Sequence, residues 1–80
     1  MKYDIKEIVY PEGDRQEISH NLYLNQIVDI NGYPIGSINT SKMIAYKVFR
    51  KSTQETRNEN ITSFYLEQLT VMELEEMIRP

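Results

Sequence analysis

The apolar and polar residues alternate near the start of the chain, and this pattern predicts a first β-strand. Within residues 2–10, Tyr3, Ile5 and Val9 occupy odd positions with polar residues between them. Successive side chains of a strand point to opposite faces, so this spacing is typical of a half-buried strand. Proline and glycine in residues 11–14 then predict a turn.

A longer alternation covers residues 18–30, where the even positions are mainly apolar. One straight strand of this length would span roughly 43 Å, so we expect a bend or bulge near Asn25-Gln26. A capping box of Asp14 and Glu17 would instead open a helix here. That helix would mix asparagines into its apolar stripe, and we therefore predict a strand for residues 22–30.

The dipeptide Asn31-Gly32 is a strong hairpin signal. A two-residue type I′ turn needs positive φ at both central positions, which Asn and Gly accept most readily. This turn would pair Ile30 with Tyr33 and Asp29 with Pro34. Proline cannot donate a backbone hydrogen bond, so we predict an edge strand for residues 33–38.

Residues 41–51 fit two interpretations. As a strand, they place Ile44, Tyr46 and Val48 on one face. As a helix opened by Thr40 or Ser41, they gather four cations on the face opposite an apolar stripe. Aromatic and branched residues favour the strand, which we predict, while the helix stays the alternative.

The last third of the chain predicts a strand followed by a helix. Residues 61–69 alternate, with Phe64 and Leu66 sharing a face, after a turn at 58–60. Thr70 and Glu73 have the spacing of a capping box, and Leu69 with Leu74 that of a hydrophobic staple. The helix would bury an apolar stripe formed by Val71, Leu74, Met77 and Ile78. Arg79 would lie near its C-terminus, where a positive charge interacts favourably with the helix dipole.

These elements predict an α+β fold that is mainly β. We expect one domain over residues 1–80: a small antiparallel sheet of about four strands, connected as a meander, with one C-terminal helix packed on it. The composition is 40% apolar and 26% charged, which is typical of folded proteins. So small a domain often gains stability by oligomerising or docking on a partner.

Composition and motifs exclude several function classes. The absence of cysteine excludes disulfides and thiol nucleophiles. The N-terminal residues lack the apolar run of a signal peptide, and no segment is long enough to span a bilayer, so we expect a cytoplasmic protein. His20 is the single histidine and has no ligand or triad spacing around it. We therefore predict no catalytic residues, no metal site, no cofactor and no enzymatic activity.

The positive charge is concentrated in residues 42–57, which hold five basic side chains against Glu55, a net of +4. One hypothesis is that these cations bind nucleic acid, with Tyr46 and Phe49 stacking on bases. We favour the other, that they pair with carboxylates such as Glu59 and Glu67, because the whole chain carries a net charge of −3. The candidate nucleic-acid residues are Lys42, Lys47, Arg50, Lys51 and Arg57.

Six tyrosines and no tryptophan indicate a second type of surface. Tyrosine suits half-buried sheet faces and is enriched where proteins bind one another. We predict that Tyr23, Tyr33 and Tyr46 contact a partner protein. The predicted function is thus a small non-enzymatic protein-binding module of the inhibitor or adaptor type, from a bacterium or phage; the alternative is a nucleic-acid-binding or regulatory protein, and homo-oligomerisation is a further option.

Overall fold

The computed structural model describes residues 2–78, which form one mixed β-sheet and one helix. The strand order in the sheet is β2-β1-β5-β4-β3. This confirms the prediction of a mainly β fold with a C-terminal helix, although the sheet has five strands and one parallel pairing. The elements are β1 (Tyr3–Val9), β2 (Arg15–Ile18), β3 (Ile27–Val28), β4 (Tyr46–Glu55), β5 (Glu59–Gln68) and α1 (Val71–Ile78).

The parallel pairing joins the first and last strands of the chain. β1 lies beside β5 with Ile8 level with Phe64, while β4 and β5 form a long antiparallel hairpin. Parallel neighbours need a crossover connection, here all the chain between β1 and β5. The connectivity is therefore not the simple meander that we expected.

The main core lies on one face of the sheet, which we call the core face. Leu22, from the loop between β2 and β3, packs onto this face and is buried there. The protein is elongated, with extents of 48 × 23 × 16 Å, so a core this small covers only part of the sheet. The buried cluster comprises Ile8, Leu22, Val28, Tyr46, Val48, Phe64 and Leu66.

We call the two parts of the sheet the covered half and the open half. The covered half contains the buried cluster and the loops packed on it. The open half comprises residues 3–6 of β1, 50–55 of β4 and 59–62 of β5, whose side chains are exposed or half-buried. On the core face, the open half carries polar residues such as Lys51, Thr53 and Thr62.

The helix begins as the capping box predicts. The Glu73 backbone N–H donates to Thr70 Oγ1 over 3.1 Å, and the Thr70 N–H donates to Glu73 Oε1 over 2.9 Å. Leu74 is buried against Ala45 and Leu69, which confirms the predicted staple. The other members of the expected stripe, Val71, Met77 and Ile78, stay largely exposed. Arg79 lies outside the described residues.

Residues 18–30 depart most from the prediction. Of the strand predicted for residues 22–30, only Ile27–Val28 is formed. The capping-box alternative is also wrong, because Arg15–Ile18 form β2. The expected bend is confirmed: Asn25 has φ 70° in a turn where the Gln26 N–H donates to the Tyr23 carbonyl over 3.1 Å. Loop residues can alternate between core and solvent without strand pairing, so the pattern was misleading.

The hairpin after β3 exists, but its turn is not type I′. Gly32 has φ 85°, whereas Asn31 is not in the positive region. Asp29 pairs with Tyr33 instead of Pro34, since the Asp29 N–H donates to the Tyr33 carbonyl over 2.9 Å. Three residues therefore form the loop. The predicted edge strand over 33–38 reduces to one bridge between Pro34 and Val28.

The ambiguous segment is a strand, as predicted, but it starts later and ends later than residues 41–51. β4 runs from Tyr46 to Glu55 and contains an irregularity between Val48 and Arg50. Phe49 is the extra residue of this β-bulge, and its side chain is half exposed. Because of this extra residue, the side chains after the bulge lie on the opposite faces from those that the alternation in residues 44–48 predicts.

Candidate protein-binding surface

The tyrosine segment, which we define as residues 23–33, carries most of the exposed apolar side chains around β3. Tyr23 is 72% exposed and Tyr33 is 58% exposed, and Leu24 and Ile30 are also open to solvent. Tyr23 and Leu24 precede β3, while Ile30 and Tyr33 follow it. The sequence pattern did not identify Leu24 and Ile30 as surface residues, because their even positions placed them with the apolar face.

The turn at Tyr23 is fixed to the sheet by hydrogen bonds. The Tyr23 N–H donates to Gln26 Oε1 over 2.9 Å. The Asn25 N–H donates to the Val48 carbonyl over 2.7 Å, and the Val48 N–H donates to the Gln26 carbonyl over 3.0 Å. This loop therefore docks on the edge of β4. The backbone near Tyr23 is fixed by these bonds to Val48 and by the bond to the Gln26 side chain.

The hairpin that carries Tyr33 is organised by one carboxylate. Asp29 Oδ1 accepts the N–H of Asn31 at 2.8 Å and that of Tyr33 at 2.9 Å. Gly32 lies so close to the core that a Cβ there would come within 3.0 Å of Ile8 Cδ1. Glycine is therefore favoured here by its positive φ and by its small size, and it brings the hairpin down onto β1.

Tyr33 is further positioned by the only histidine of the chain. Its ring stacks on His20 with centroids 5.0 Å apart and planes 15° apart. His20 Nε2 lies 2.7 Å from the Gly32 carbonyl oxygen, which can only accept, so Nε2 is the protonated nitrogen. The histidine thus has a structural hydrogen bond and lies in the loop between β2 and β3.

Tyr46 does not belong to this exposed surface. It is 6% exposed and packs edge-to-face on Tyr10, with ring centroids 5.7 Å apart. Burial raises the pKa of the Tyr46 phenol and also that of Tyr10. The Tyr10 hydroxyl lies at 3.0 Å from Gln16 Oε1 and also contacts the Ile30 carbonyl. Tyr46 is therefore a core residue, and the predicted contact surface loses this member.

The basic residues do not share one face. Arg50 lies opposite Tyr65 and Lys51 opposite Phe64, so the two cations project to opposite sides of the sheet. Their charged groups cover these rings, at 5.1 Å for Arg50 and 5.9 Å for Lys51. Lys42 precedes β4 in a loop, Lys47 lies at the start of β4, and Arg57 lies in the hairpin turn.

The expected ion pairs of the basic stretch are not formed. Within residues 2–78, the ion pairs join Lys2 to Glu55 at 2.9 Å and Arg15 to Glu7. Lys47 lies directly across from Glu67 in the sheet, yet their charged groups do not come within ion-pair distance. Arg50 and Lys51 contact the faces of aromatic rings instead of carboxylates.

Glu7 and Ser63 have structural partners inside the sheet. Ser63 is buried on the face opposite the core and donates its hydroxyl to Glu7 Oε2 over 2.7 Å. The same carboxylate oxygen accepts a hydrogen bond from Arg15. No cluster of three or more metal-ligating side chains occurs among the residues that the structure describes.

The chain belongs to a family described as "Uncharacterised Treponema protein", whose profile matches residues 5–77. No curated protein and no solved structure matches the chain. Within residues 2–78, no helix is long and apolar enough to cross a membrane. The family match extends over both the tyrosine segment and the β4–β5 hairpin.

Proposed function

We propose that this chain is a small non-enzymatic protein-binding module, of the inhibitor or adaptor type, acting in the bacterial cytoplasm. The observation that carries the proposal is the tyrosine segment, which presents Tyr23 and Tyr33 to solvent on a fixed backbone. The family description supports a bacterial origin. The partner is another protein.

The fixed backbone matters for binding energy. Ordering a loop on association opposes binding, so side chains that are held in advance lose less entropy. Tyrosine adds a large contact area with few rotatable bonds. Tyr33 is stacked on His20, and the turn at Tyr23 is bonded to β4, so both are positioned before a partner arrives.

Two titratable groups have structural roles within the fold. His20 uses Nε2 in a bond to a backbone carbonyl, and Glu7 accepts from Ser63 and Arg15. These contacts explain the positions of both side chains without a catalytic role, which supports the proposal of a non-enzymatic protein.

A capture experiment with matched variants tests the proposal. Tagged wild-type protein, a Tyr23→Ser/Tyr33→Ser double variant and a Tyr3→Ser control would be incubated with Treponema lysate and crosslinked. Tyr3 is as exposed as the other two but lies in the open half. We expect one protein to be enriched by the wild type and the control and lost from the double variant, and to rebind when purified. Equal enrichment by the wild type and both variants would contradict the proposal.

The distribution of the cations weighs against the alternative, nucleic-acid binding. Neutralising phosphates along a strand needs a continuous basic surface, whereas Arg50 and Lys51 project to opposite faces. We expect no binding of DNA or RNA near physiological salt at about 100 μM protein, the weak limit of ordinary non-specific affinity. Tight, salt-sensitive binding that is lost on reversing Lys47, Arg50 and Lys51 would favour the alternative.

A further inference from the structure

The open half leaves one edge of β4 without a neighbouring strand. β3 pairs only with Tyr46 and Lys47, and the loop contacts end at Val48. From Arg50 to Glu55, the strand has β5 on one side and, within residues 2–78, no strand on the other. The bulge at Phe49 bounds this edge at one end, and the hairpin turn at 57–58 bounds it at the other.

The hydrogen-bond pattern shows which backbone groups face outward. The Thr56 N–H donates to the Glu59 carbonyl over 2.8 Å, so these residues form a bonded pair. Bonded and non-bonded pairs alternate in an antiparallel ladder. Ser52 and Gln54 therefore bond to β5, while the N–H and C=O groups of Lys51, Thr53 and Glu55 point away from it.

We propose that a second copy of the chain pairs along this edge, antiparallel, with the twofold axis at Thr53. Thr53 would pair with Thr53 of the second copy. Lys51 would pair with Glu55 of the second copy, and Glu55 with Lys51 of the second copy. Each directly bonded pair exchanges two hydrogen bonds, so the three pairs give about six. The two sheets become one continuous sheet, and the outward groups that β4 leaves unpaired are satisfied.

Charge complementarity selects both the occupant and the register. An axis at Thr53 places a lysine opposite a glutamate twice, and opposite charges across a ladder are stabilising. An axis at Lys51 would oppose two lysines, and one at Gln54 would oppose Lys51 and Arg57. An axis at Ser52 would leave Lys51 opposite threonine. Thr53 is also the midpoint of the regular segment between the bulge and the turn.

Sedimentation equilibrium over a concentration series, with two proline variants, tests the pairing. Proline is tolerated at an edge position whose N–H faces solvent, so Thr53→Pro should keep the fold and lose two intersubunit hydrogen bonds. We expect a wild-type monomer–dimer equilibrium and a dissociation constant raised at least about fivefold by Thr53→Pro.

Glu17→Pro is the matched control on the opposite edge. The Tyr10 N–H donates to the Asp14 carbonyl over 2.9 Å, so these two residues form a bonded pair of the β1–β2 ladder. Bonded and non-bonded pairs alternate from there, and Glu17 with its partner Glu7 is a non-bonded pair. The Glu17 N–H therefore points away from β1. This variant should dimerise like the wild type. The proposal is overturned if the wild type stays monomeric up to about 1 mM, or if Thr53→Pro dimerises equally well.

Cysteine crosslinking tests the position of the axis. The chain has no cysteine, so Thr53→Cys introduces a single thiol. Residues in a bonded antiparallel pair have Cα atoms about 5.5 Å apart, within the range that a disulfide spans. The control Gln54→Cys would place its Cα atoms about 8 Å apart, which is too far. Fast oxidation of Thr53→Cys alone is expected, and equal rates for both variants would overturn the register.

A charge exchange tests the Lys51–Glu55 pairing. Lys51→Glu should raise the dimer dissociation constant by about threefold or more, because like charges then face each other twice. A triple variant with Lys2→Glu, Lys51→Glu and Glu55→Lys restores the opposite charges between the two copies. It also keeps opposite charges at positions 2 and 55, which form an ion pair of 2.9 Å within the wild-type chain. Restored dimerisation supports the proposal, and none contradicts it. The edge lies outside the tyrosine segment, so this proposal and the partner proposal fail separately.

Discussion

The covered half and the open half of the sheet share the strands β1, β4 and β5 but differ in what stabilises them. In the covered half, Phe64 is fully buried beneath Leu22 and its neighbours. Two residues earlier on the same strand and the same face, Thr62 in the open half is only half-buried. One strand thus passes from a hydrophobic core to a polar ladder within a few residues.

Strand pairing in this sheet continues beyond the point where burial ends. The long hairpin pairs β4 with β5 as far as Glu55 and Asn60, well beyond the last core residue. A two-stranded ribbon alone is marginally stable in water, and β1 adds a third strand beside it. The covered half anchors the fold, while the open half leaves an edge available for pairing.

Truncating one buried residue and one polar residue of β5 should affect the two halves very differently. Phe64→Ala removes a fully buried ring and should lower the free energy of unfolding by about 3–5 kcal/mol. Thr62→Ala should change it by less than about 1 kcal/mol, because a partly exposed threonine loses little packing. Denaturant titration of both variants measures the contrast, and equal losses would contradict the division into two halves.

The helix extends the covered half, and Leu74 is its anchor. Leu74→Ala should cost about 2–5 kcal/mol, because the side chain is buried between Ala45 and Leu69. Val71→Ala, on an exposed position of the same helix, should cost less than about 1 kcal/mol. Thermal unfolding of the two variants provides the comparison. A Leu74→Ala protein as stable as Val71→Ala would show that the helix is not part of the core.

Gly32 lies where the hairpin after β3 meets the covered half. Gly32→Val should cost more than about 1 kcal/mol, because a β-branched residue at φ 85° is strained and its Cβ approaches Ile8. Gly36→Ala is the control, since a Cβ there meets nothing within 4 Å. Its stability should stay within about 0.5 kcal/mol of the wild type. If Gly32→Val matches that control, the close packing of the hairpin is wrong.

The smallest expected effect is a pH dependence at the start of the helix. The backbone hydrogen bond from Thr70, and then its side chain, lower the pKa of Glu73 below its ordinary value of 4.5. A lowered pKa in the folded state stabilises the protein above the unfolded pKa, and this contribution is lost as the pH falls through the folded value. The stability difference between wild type and Glu73→Gln should therefore shrink from pH 7 to pH 3. A constant difference would contradict the capping geometry.

The sequence predicts those parts of the fold that depend on neighbouring residues. The helix start follows from Thr70 and Glu73, three positions apart, and β1 follows from its own alternation. The β1–β5 pairing was not predictable, because it joins Ile8 to Phe64 across most of the chain. No local pattern specifies which distant strand will lie alongside.

The candidate surface was predictable only in part, for a related reason. Tyr23 and Tyr33 are exposed, as a contact with a partner would require, whereas Tyr46 is buried by Tyr10 and its neighbours. Leu24 and Ile30 were missed, because parity describes exposure only when the segment is a strand. The free edge of β4 also required the sheet order, since β3 proved to be two residues long.

Hydrogen exchange along β4, followed amide by amide in dilute protein, tests the division of the sheet most directly. We predict slow exchange at Val48, whose N–H donates to the Gln26 carbonyl, and at the amides bonded to β5, Ser52 and Gln54. The amides of Lys51, Thr53 and Glu55 should exchange fast, and become protected as concentration rises if a second copy pairs there. Uniform protection of residues 50–55 at low concentration would mean that the edge is already covered, and would contradict the account.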